Sequence, residues 1–439
     1  MNGLTISVRR SACLAVLLLA SGLYGCKISV NSDNDNDNAD NETPAQQNEG
    51  YVPAEDDFQH AYVLATDDAP VETSSFRQTM SLQSSASSVS SVSLTSSTPP
   101  GAWTPQQFQQ AYNVPASLNG KPAGYGVKVA VITAYHYSNM QNDLNKFAAQ
   151  YSLNPIKLNI INQAGNITNS NWSLQSNLSV QMINAISPGA TVYVIEAKTT
   201  NQSDMLTAVT TAVNLGVNII LMPFGISEYA AEGSRAYLFQ NSQIVFVAAA
   251  GNNGVVNFPA TSPDVVAVGG TTPNSGSPLV ESAWGETGAG MSVYQPMPSY
   301  QVSAVQKANT TAFRSVPDLV FNADPSYGAR IYSSIAGGWL GFGGTSVSST
   351  LFAGAVAIAN QARRNINKPM LSSSHTSPNS IHKFLYQLVS ANAGSNTAAV
   401  LNDVVDGHAG GYSTGPGYDI ATGLGSLDVE KFAQYMANQ

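Results

Sequence analysis

The chain has 439 residues, a formal net charge of −9 at pH 7, and only 10% charged residues. An acidic chain with few cations repels phosphate backbones, so these numbers exclude nucleic acid as the expected partner. The length is sufficient for one large domain with a full hydrophobic core, which we expect to be a monomer.

Residues 1–25 have the pattern of an export signal, in which two arginines precede an apolar run too short to span a bilayer. Residues 23–26 (LYGC) resemble the lipobox of bacterial lipoproteins, which implies that Cys26 is acylated and becomes the first mature residue. Lys27, rather than an aspartate, follows the cysteine. This favours the outer membrane or cell surface of a Gram-negative bacterium, with the membrane contacted through the lipid. The alternative is an ordinary secretory leader.

Residues 26–102 are predicted to form a disordered tether. They contain an Asn- and Asp-rich run followed by a Ser-rich run, and both have too little apolar content to offset the entropy lost on ordering. The globular domain is therefore expected to extend from about Trp103 to Gln439.

From residue 103 onward, strand patterns alternate with helical patterns. Buried strands are predicted at 127–134, 190–197, 217–224, 244–251 and 265–270. The intervals between them carry apolar residues at helical spacing. This alternation predicts an α/β fold with a doubly wound parallel sheet and helices on both faces. In such a sheet, ligands bind beyond the carboxyl ends of the strands.

Eight segments occur in the order found in one family. They are WTPQQFQQAYNVPA (103–116), DLNKF, ISPGATVYV, VAAAGNNG, FPATSPDVVAVGGTT, SVPDLVFNADP, GGTSVSSTLFAG and GPGYDIATGLG. Together they resemble the sedolisins, which are serine-carboxyl peptidases with a subtilisin-like fold. The resemblance covers nearly all of the chain from residue 103 and implies a peptidase cleft.

Ser346 matches the family's nucleophile, which opens a long buried helix. The oriented N–H groups at a helix start and the small residues that follow suit such a site. Alternatively Ser346 only caps the helix, and capping is compatible with catalysis. Thr350 stands where the family usually has proline.

The family's base is a glutamate, partnered by an aspartate four residues later on the same helix face. These positions align with Gln175 and Ser179, and no acidic residue occurs between Asp143 and Glu196. A carboxamide is essentially non-basic, although Gln175 can still hydrogen-bond Ser346. The resemblance therefore implies a cleft that has lost its carboxylate pair.

Asn252 stands at the family's oxyanion aspartate, where a neutral amide donor is worth roughly 3 kcal/mol in a comparable site. Subtilisins would need an aspartate at the end of the first strand, where this chain has Thr133, and a histidine on the helix of Gln175, which has none. His136 follows the first strand on the correct edge of the sheet and stays open as an alternative base.

The segment LNDVVDGHAGGYSTGPGYDIATGLG, near the C-terminus, resembles the family's calcium site. The resemblance implies calcium as the bound ion, held by the carboxylates and carbonyls of five residues: Asp403, Val404, Gly415, Gly417 and Asp419. The alternative is a Gly-rich turn with two surface aspartates.

The family also implies a folded prodomain of well over a hundred residues, for which the stretch after Cys26 is too short and too polar. The sequence therefore favours a lipid-anchored, sedolisin-like protein that is catalytically impaired, a pseudoprotease with a peptide or protein ligand in its cleft. Two alternatives stay open. One is an active serine endopeptidase that uses Ser346 with an unorthodox base, and the other is a structural surface lipoprotein.

Overall fold

The computed structural model describes residues 57–61, 63–64, 101–276, 279–305, 311–389 and 400–439. The predicted signal, Cys26 and most of the predicted tether lie outside these residues. Within the described ranges, no helix is both long and apolar enough to cross a membrane.

The strands are, in chain order, β1 (Gln59–His60), β2 (Val63–Leu64), β3 (Ser117–Leu118), β4 (Lys121–Pro122), β5 (Lys128–Ala134), β6 (Asn159–Asn162), β7 (Thr191–Ala197), β8 (Ile219–Met222), β9 (Phe224–Ser227), β10 (Val245–Ala249), β11 (Asn257–Phe258), β12 (Val266–Gly276), β13 (Leu279–Ala283), β14 (Gly290–Pro296), β15 (Phe313–Val316), β16 (Leu319–Asn322), β17 (Ala329–Ser333), β18 (Gly338–Gly343), β19 (Leu401–Asn402), β20 (His408–Ala409), β21 (Tyr412–Ser413) and β22 (Ser426–Leu427).

The α-helices are α1 (Pro105–Ala111), α2 (Met140–Gln150), α3 (Ser170–Ile186), α4 (Gln202–Asn214), α5 (Val302–Val305), α6 (Thr345–Asn365), α7 (Ile381–Gln387) and α8 (Val429–Asn438). Two 3₁₀ segments span Glu232–Phe239 and Pro325–Tyr327. Side-chain caps fix where the helices begin. Asn169 accepts from the N–H of Trp172 at the start of α3, and Asn201 accepts from the N–H of Asp204 at the start of α4.

The main sheet contains eight strands in the order β13-β12-β10-β8-β5-β7-β6, with β16 also paired to β12. Every pair is parallel except β12 with β13. The doubly wound α/β fold predicted from the sequence is confirmed. One predicted strand, 217–224, is divided into β8 and β9 at Pro223, which has no N–H to donate to a sheet.

Both faces of the sheet are covered. Val129 and Val131 of β5 belong to the larger buried apolar cluster, while Ala130 and Ile132 belong to the second cluster on the opposite face. This division follows from the two-residue period of a strand. Because the parallel strands run in one direction, their carboxyl ends share one edge, and the loops there surround the start of α6.

Helix α6 is the buried centre of the domain and packs against α3. An ideal Cβ built on Gly354 would lie 2.6 Å from Cγ2 of Ile186, so a side chain at this position would separate the two helices. The contact fixes the relative position of the helices that carry Ser346 and Gln175.

Candidate active site

Ser346 is the second residue of α6, after Gly344, which has φ +90°. Its side chain is fully buried, and among the described residues its Oγ has no hydrogen-bond partner. Thr350, which replaces the family's proline, donates its hydroxyl to the carbonyl of Ser346 at 2.7 Å. The hydroxyl therefore satisfies a carbonyl that a proline four residues later would leave without its helical partner.

Asn252 is held beside the start of α6. Its Oδ1 accepts from the N–H of Thr345 at 2.8 Å and from the hydroxyl of Thr345 at 2.8 Å. A backbone N–H can only donate, so these bonds fix which end of the amide faces Thr345 and leave Nδ2 to face another acceptor. The structure thus places Asn252 next to Thr345, the residue that precedes Ser346.

Gln175 and Ser179 lie one turn apart on α3, and both are fully buried. Nε2 of Gln175 donates to Oγ of Ser179 at 3.0 Å, and its Oε1 has no partner among the described residues. The hydrogen bond from Gln175 to Ser346 that the sequence allowed is therefore absent from the described part of the chain. Both side chains of this pair are neutral.

Thr133, at the end of β5, lies 2.6 Å through its hydroxyl from the hydroxyl of Ser176. His136, the alternative base, instead places Nδ1 2.7 Å from Oε2 of Glu196. The other carboxylate oxygen of Glu196, Oε1, accepts from the N–H of Tyr137. No hydrogen bond in the described ranges joins His136 to Ser346. Sequence reasoning missed Glu196, which is a buried acid at the end of a predicted strand.

Residues 57–61 and 63–64, which we call the cleft segment, cross the start of α6. The N–H of Ser346 donates to the carbonyl of Ala61 at 2.9 Å, and the N–H of Ala61 donates to the carbonyl of Pro223 at 3.2 Å. Strand β1 pairs antiparallel with β9, and β2 pairs antiparallel with β18. At these residues the predicted tether is wrong, because strand pairing through the backbone orders a segment whose composition does not predict order.

Phe58 anchors the cleft segment. Its side chain is 1% exposed and packs edge-on against Phe224, with ring centroids 5.0 Å apart, and stacks on Phe258 at 6.1 Å. Its N–H donates to the carbonyl of Thr200 at 2.8 Å. The segment is therefore held on both sides through its backbone and at one end by an aromatic pocket.

His60 follows two residues later and is half-buried. Burial lowers the pKa of its imidazole to about 4, although a hydrogen bond with its own backbone opposes the shift, so the ring is neutral at pH 7. The ring meets Trp172 of α3 edge-on with centroids 6.1 Å apart. Since Oγ of Ser346 has no partner among the described residues, His60 is not hydrogen-bonded to it.

Sequence reasoning missed a pair of acids, Glu228 and Glu232, which follow β9. Burial raises the pKa of Glu232 to about 7, although hydrogen bonds such as that from Gln295 oppose the shift, and Glu232 hydrogen-bonds Glu228. Glu232 also accepts from Thr261 at 3.0 Å. The spacing Glu-x-x-x-Glu after β9, in a chain with few charged residues, was the available signal.

Four of the five predicted calcium residues are joined in two pairs by hydrogen bonds. The N–H of Gly417 donates to Asp403 at 2.8 Å, and the N–H of Gly415 donates to Asp419 at 3.1 Å. Burial raises the pKa of Asp419, while hydrogen bonds from Thr422 and Gly415 oppose the shift. No three His, Cys, Asp or Glu side chains converge anywhere in the described ranges. The two acids are placed to fit an oxygen-ligand site only if backbone carbonyls supply the remaining ligands.

Comparison with known proteins agrees with this geometry. The model of the subtilase family matches residues 115–401, and the chain belongs to that family. Within it the chain is sedolisin-like, as the eight motifs predicted. It is 35% identical over 204 residues to sedolisin of Pseudomonas sp. (strain 101), which covers 42% of this chain and 31% of that protein.

Kumamolisin of Bacillus sp. (strain MN-32) is 31% identical over 371 residues, which covers 74% of this chain and 62% of that protein. The chain thus spans less than two thirds of the length of either relative. The solved structure of Pseudomonas sedolisin, a serine-carboxyl proteinase complexed with two molecules of pseudo-iodotyrostatin, matches with a TM-score of 0.65 at 25% identity. The match covers 77% of this chain and 98% of that one.

Proposed function

We propose that this sedolisin-like peptidase domain is a pseudoprotease whose cleft binds an extended peptide or protein segment without cutting it. The observation that carries the proposal is the hydrogen-bonded pair of Gln175 and Ser179 in place of the carboxylates. A serine hydroxyl is a poor nucleophile until a base removes its proton, and neither an amide nor a hydroxyl has the basicity to do so.

The features that bind a peptide backbone are nevertheless present. The N–H of Ser346 donates to the carbonyl of Ala61, and Asn252 is held at the neighbouring Thr345. Strand β9 pairs antiparallel with β1, an extended stretch of this chain. Main-chain hydrogen bonds of this kind give affinity, and side-chain pockets give selectivity. Binding therefore does not need the missing base.

Peptide cleavage tests the proposal. Purified protein incubated with a mixture of synthetic peptides from about pH 3 to pH 8 should leave them intact, and Ser346→Ala should give the same background. A fluorophosphonate reagent should label wild type no faster than this variant. Cleavage or labelling that depends on Ser346 would favour the active endopeptidase. If no peptide binds saturably, the structural lipoprotein is favoured.

The calcium site is part of the proposal. Asp403 and Asp419, with the carbonyls of Val404, Gly415 and Gly417, would hold the ion and stabilise the turn. Because an ion that binds the folded state stabilises it, adding calcium should raise the melting temperature of wild type. Asp419→Ala should abolish this rise while leaving the fold intact by circular dichroism, and an equal rise in both proteins would refute the site.

The attachment to the membrane rests on residues 23–26 alone. We propose that Cys26 is acylated and tethers the domain to the outer membrane or cell surface of a Gram-negative bacterium. Mass spectrometry of the mature N-terminus should find a lipid-modified Cys26. An unmodified cysteine, or a chain that starts elsewhere, would refute the anchor.

A further inference from the structure

A pocket lies at the amino ends of two central strands of the main sheet. Asn218 directly precedes β8, and Gln243 lies two residues before β10, so both stand at the edge opposite the one that carries the cleft. The pocket has a volume of about 460 Å³, within the range of roughly 300–1,000 Å³ that is typical of small-molecule sites. Most of the remaining wall comes from the stretch between α6 and α7, where Pro369, Met370 and Pro378 supply apolar surface.

Two amides in the pocket wall are oriented by groups that can only donate. Oδ1 of Asn218 accepts from the N–H of Lys128 at 2.9 Å, and Oδ1 of Asn379 accepts from the guanidinium of Arg363 at 2.8 Å. These bonds fix the oxygen end of each amide on its partner. Neither Nδ2 group has a hydrogen-bond partner among the described residues, so the wall keeps two amide donors for a ligand.

Two cations stand behind this wall. Arg363 is 1% exposed and, in the described ranges, donates only to neutral oxygens, among them the carbonyl of Pro369 at 2.7 Å and Oδ1 of Asn379. Lys383 donates to the carbonyl of Ser377, another wall residue, at 3.3 Å. Neither cation forms an ion pair with a carboxylate of the described residues, and no acid lines the pocket. A buried cation without a counter-charge favours an anion nearby.

We propose that this pocket, which we call the amino-edge pocket, binds a small ligand that carries an oxyanion group, either a carboxylate or a phosphate. The oxyanion accepts from the Nδ2 groups of Asn218 and Asn379, and the apolar body of the ligand contacts Pro369, Met370 and Pro378. A wall of amides alone would suit a neutral sugar equally well. The cations behind the wall and the lack of acids in it favour the anion. The inference goes beyond the cleft and does not depend on the state of its nucleophile.

Three probes that share a phenyl ring test the ligand class on the full chain. Benzoate carries a carboxylate, phenyl phosphate carries a phosphate, and benzamide is the neutral counterpart of benzoate. Each is titrated to about 10 mM, as suits so small a ligand, while NMR follows the methyl signal of Met370, identified by its loss in Met370→Leu.

At least one anion should shift the Met370 signal saturably, and benzamide should bind at least about tenfold more weakly than that anion. Tighter binding of benzoate would support the inference with a carboxylate as the recognised group, and tighter binding of phenyl phosphate would support it with a phosphate. Benzamide that binds as tightly as both anions, or no shift with any probe, would overturn the inference.

Two substitutions test the donors without removing the bonds that hold the wall. Asn218→Asp and Asn379→Asp keep the oxygens that accept from Lys128 and Arg363, but each replaces a donor with a charged acceptor. Each should weaken binding of the preferred anion at least about tenfold. Asn145→Asp, which adds the same charge at an exposed position of α2, is the matched control and should bind as wild type does.

Wild-type affinity in both pocket variants would overturn the inference. If Asn379→Asp fails to fold because it alters the partner of a buried cation, Asn218→Asp, whose partner is a backbone N–H, decides alone.

Discussion

Asn252 and Gln175 carry the same functional group at two positions where the family has acids, yet their surroundings differ. The Asn252 oxygen accepts two hydrogen bonds from Thr345, whereas the buried Gln175 oxygen accepts none among the described residues. An unsatisfied buried acceptor costs about 1–3 kcal/mol. The acceptor of the amide at 252 is therefore satisfied, whereas the amide at 175 keeps an unsatisfied acceptor in a buried site.

Under the proposed function, a carboxylate at position 175 should restore peptidase activity. Gln175→Glu with Ser179→Asp, and Asn252→Asp if required, should create acid-pH peptidase activity dependent on Ser346, because the base must be ionised while the oxyanion acid stays protonated. The first product expected is the chain's own fragment beginning at Tyr62, seen by mass spectrometry. Single substitutions should do much less, since such groups act as a unit. A folded triple variant without activity would mean that the cleft has changed elsewhere.

Glu232 should make stability depend on pH. Its pKa rises from about 4.5 unfolded to about 7 folded because of burial, so the folded state binds the extra proton between these values. This stabilisation is complete below about pH 4.5 and is lost as the pH rises towards 7. Glu232→Gln should weaken the dependence, although Glu228, whose pKa burial also raises, still titrates, and should stabilise the protein at pH 8 by on the order of 2 kcal/mol.

Denaturant unfolding at pH 5 and pH 8 measures this change. Asp428→Asn, which alters a half-buried acid at the N-cap of α8, is the control and should leave the pH dependence as in wild type. An unchanged slope in Glu232→Gln would show that Glu232 is ionised in the fold.

At the scale of elements, the site depends on how closely α6 approaches α3. A side chain at Gly354 would meet Ile186, so Gly354→Val should lower the free energy of unfolding by roughly 1–3 kcal/mol through overpacking. Adding Ile186→Ala should recover part of the loss, because it vacates the contacted volume. Thermal or denaturant unfolding of both variants measures these changes in stability. A Gly354→Val variant as stable as wild type would contradict this close packing.

The regular elements could be predicted because their signal is local. The runs at 127–134 and 190–197 became β5 and β7 with one residue of difference at the start, since buried parallel strands are continuously apolar. Caps such as Asn169 are equally local. The cleft segment could not be predicted, because backbone bonds between β1 and β9, over 160 positions apart, leave no pattern in side chains.

At the scale of the whole molecule, the proposed loss of the base is consistent with the position of the cleft segment beside Ser346. The family motifs located Ser346, Gln175, Ser179 and Asn252, but only the fold shows that the chain ahead of the domain returns to Ser346. A chain that holds the carbonyl of Ala61 against Ser346 stays intact there only if Ser346 is inert. The proposed absence of a base and the observed position of the cleft segment therefore support each other.

The most direct measurement is the intact mass and N-terminal sequence of the purified full chain after prolonged incubation from about pH 3 to pH 8. The carbonyl of Ala61 is held at Ser346 at very high effective concentration. If a working base activated Ser346, the peptide bond after Ala61 would therefore be cut before any added peptide. The account predicts no new N-terminus at Tyr62 at any pH, in wild type or in Ser346→Ala. A chain that begins at Tyr62 in wild type but not in Ser346→Ala would contradict it.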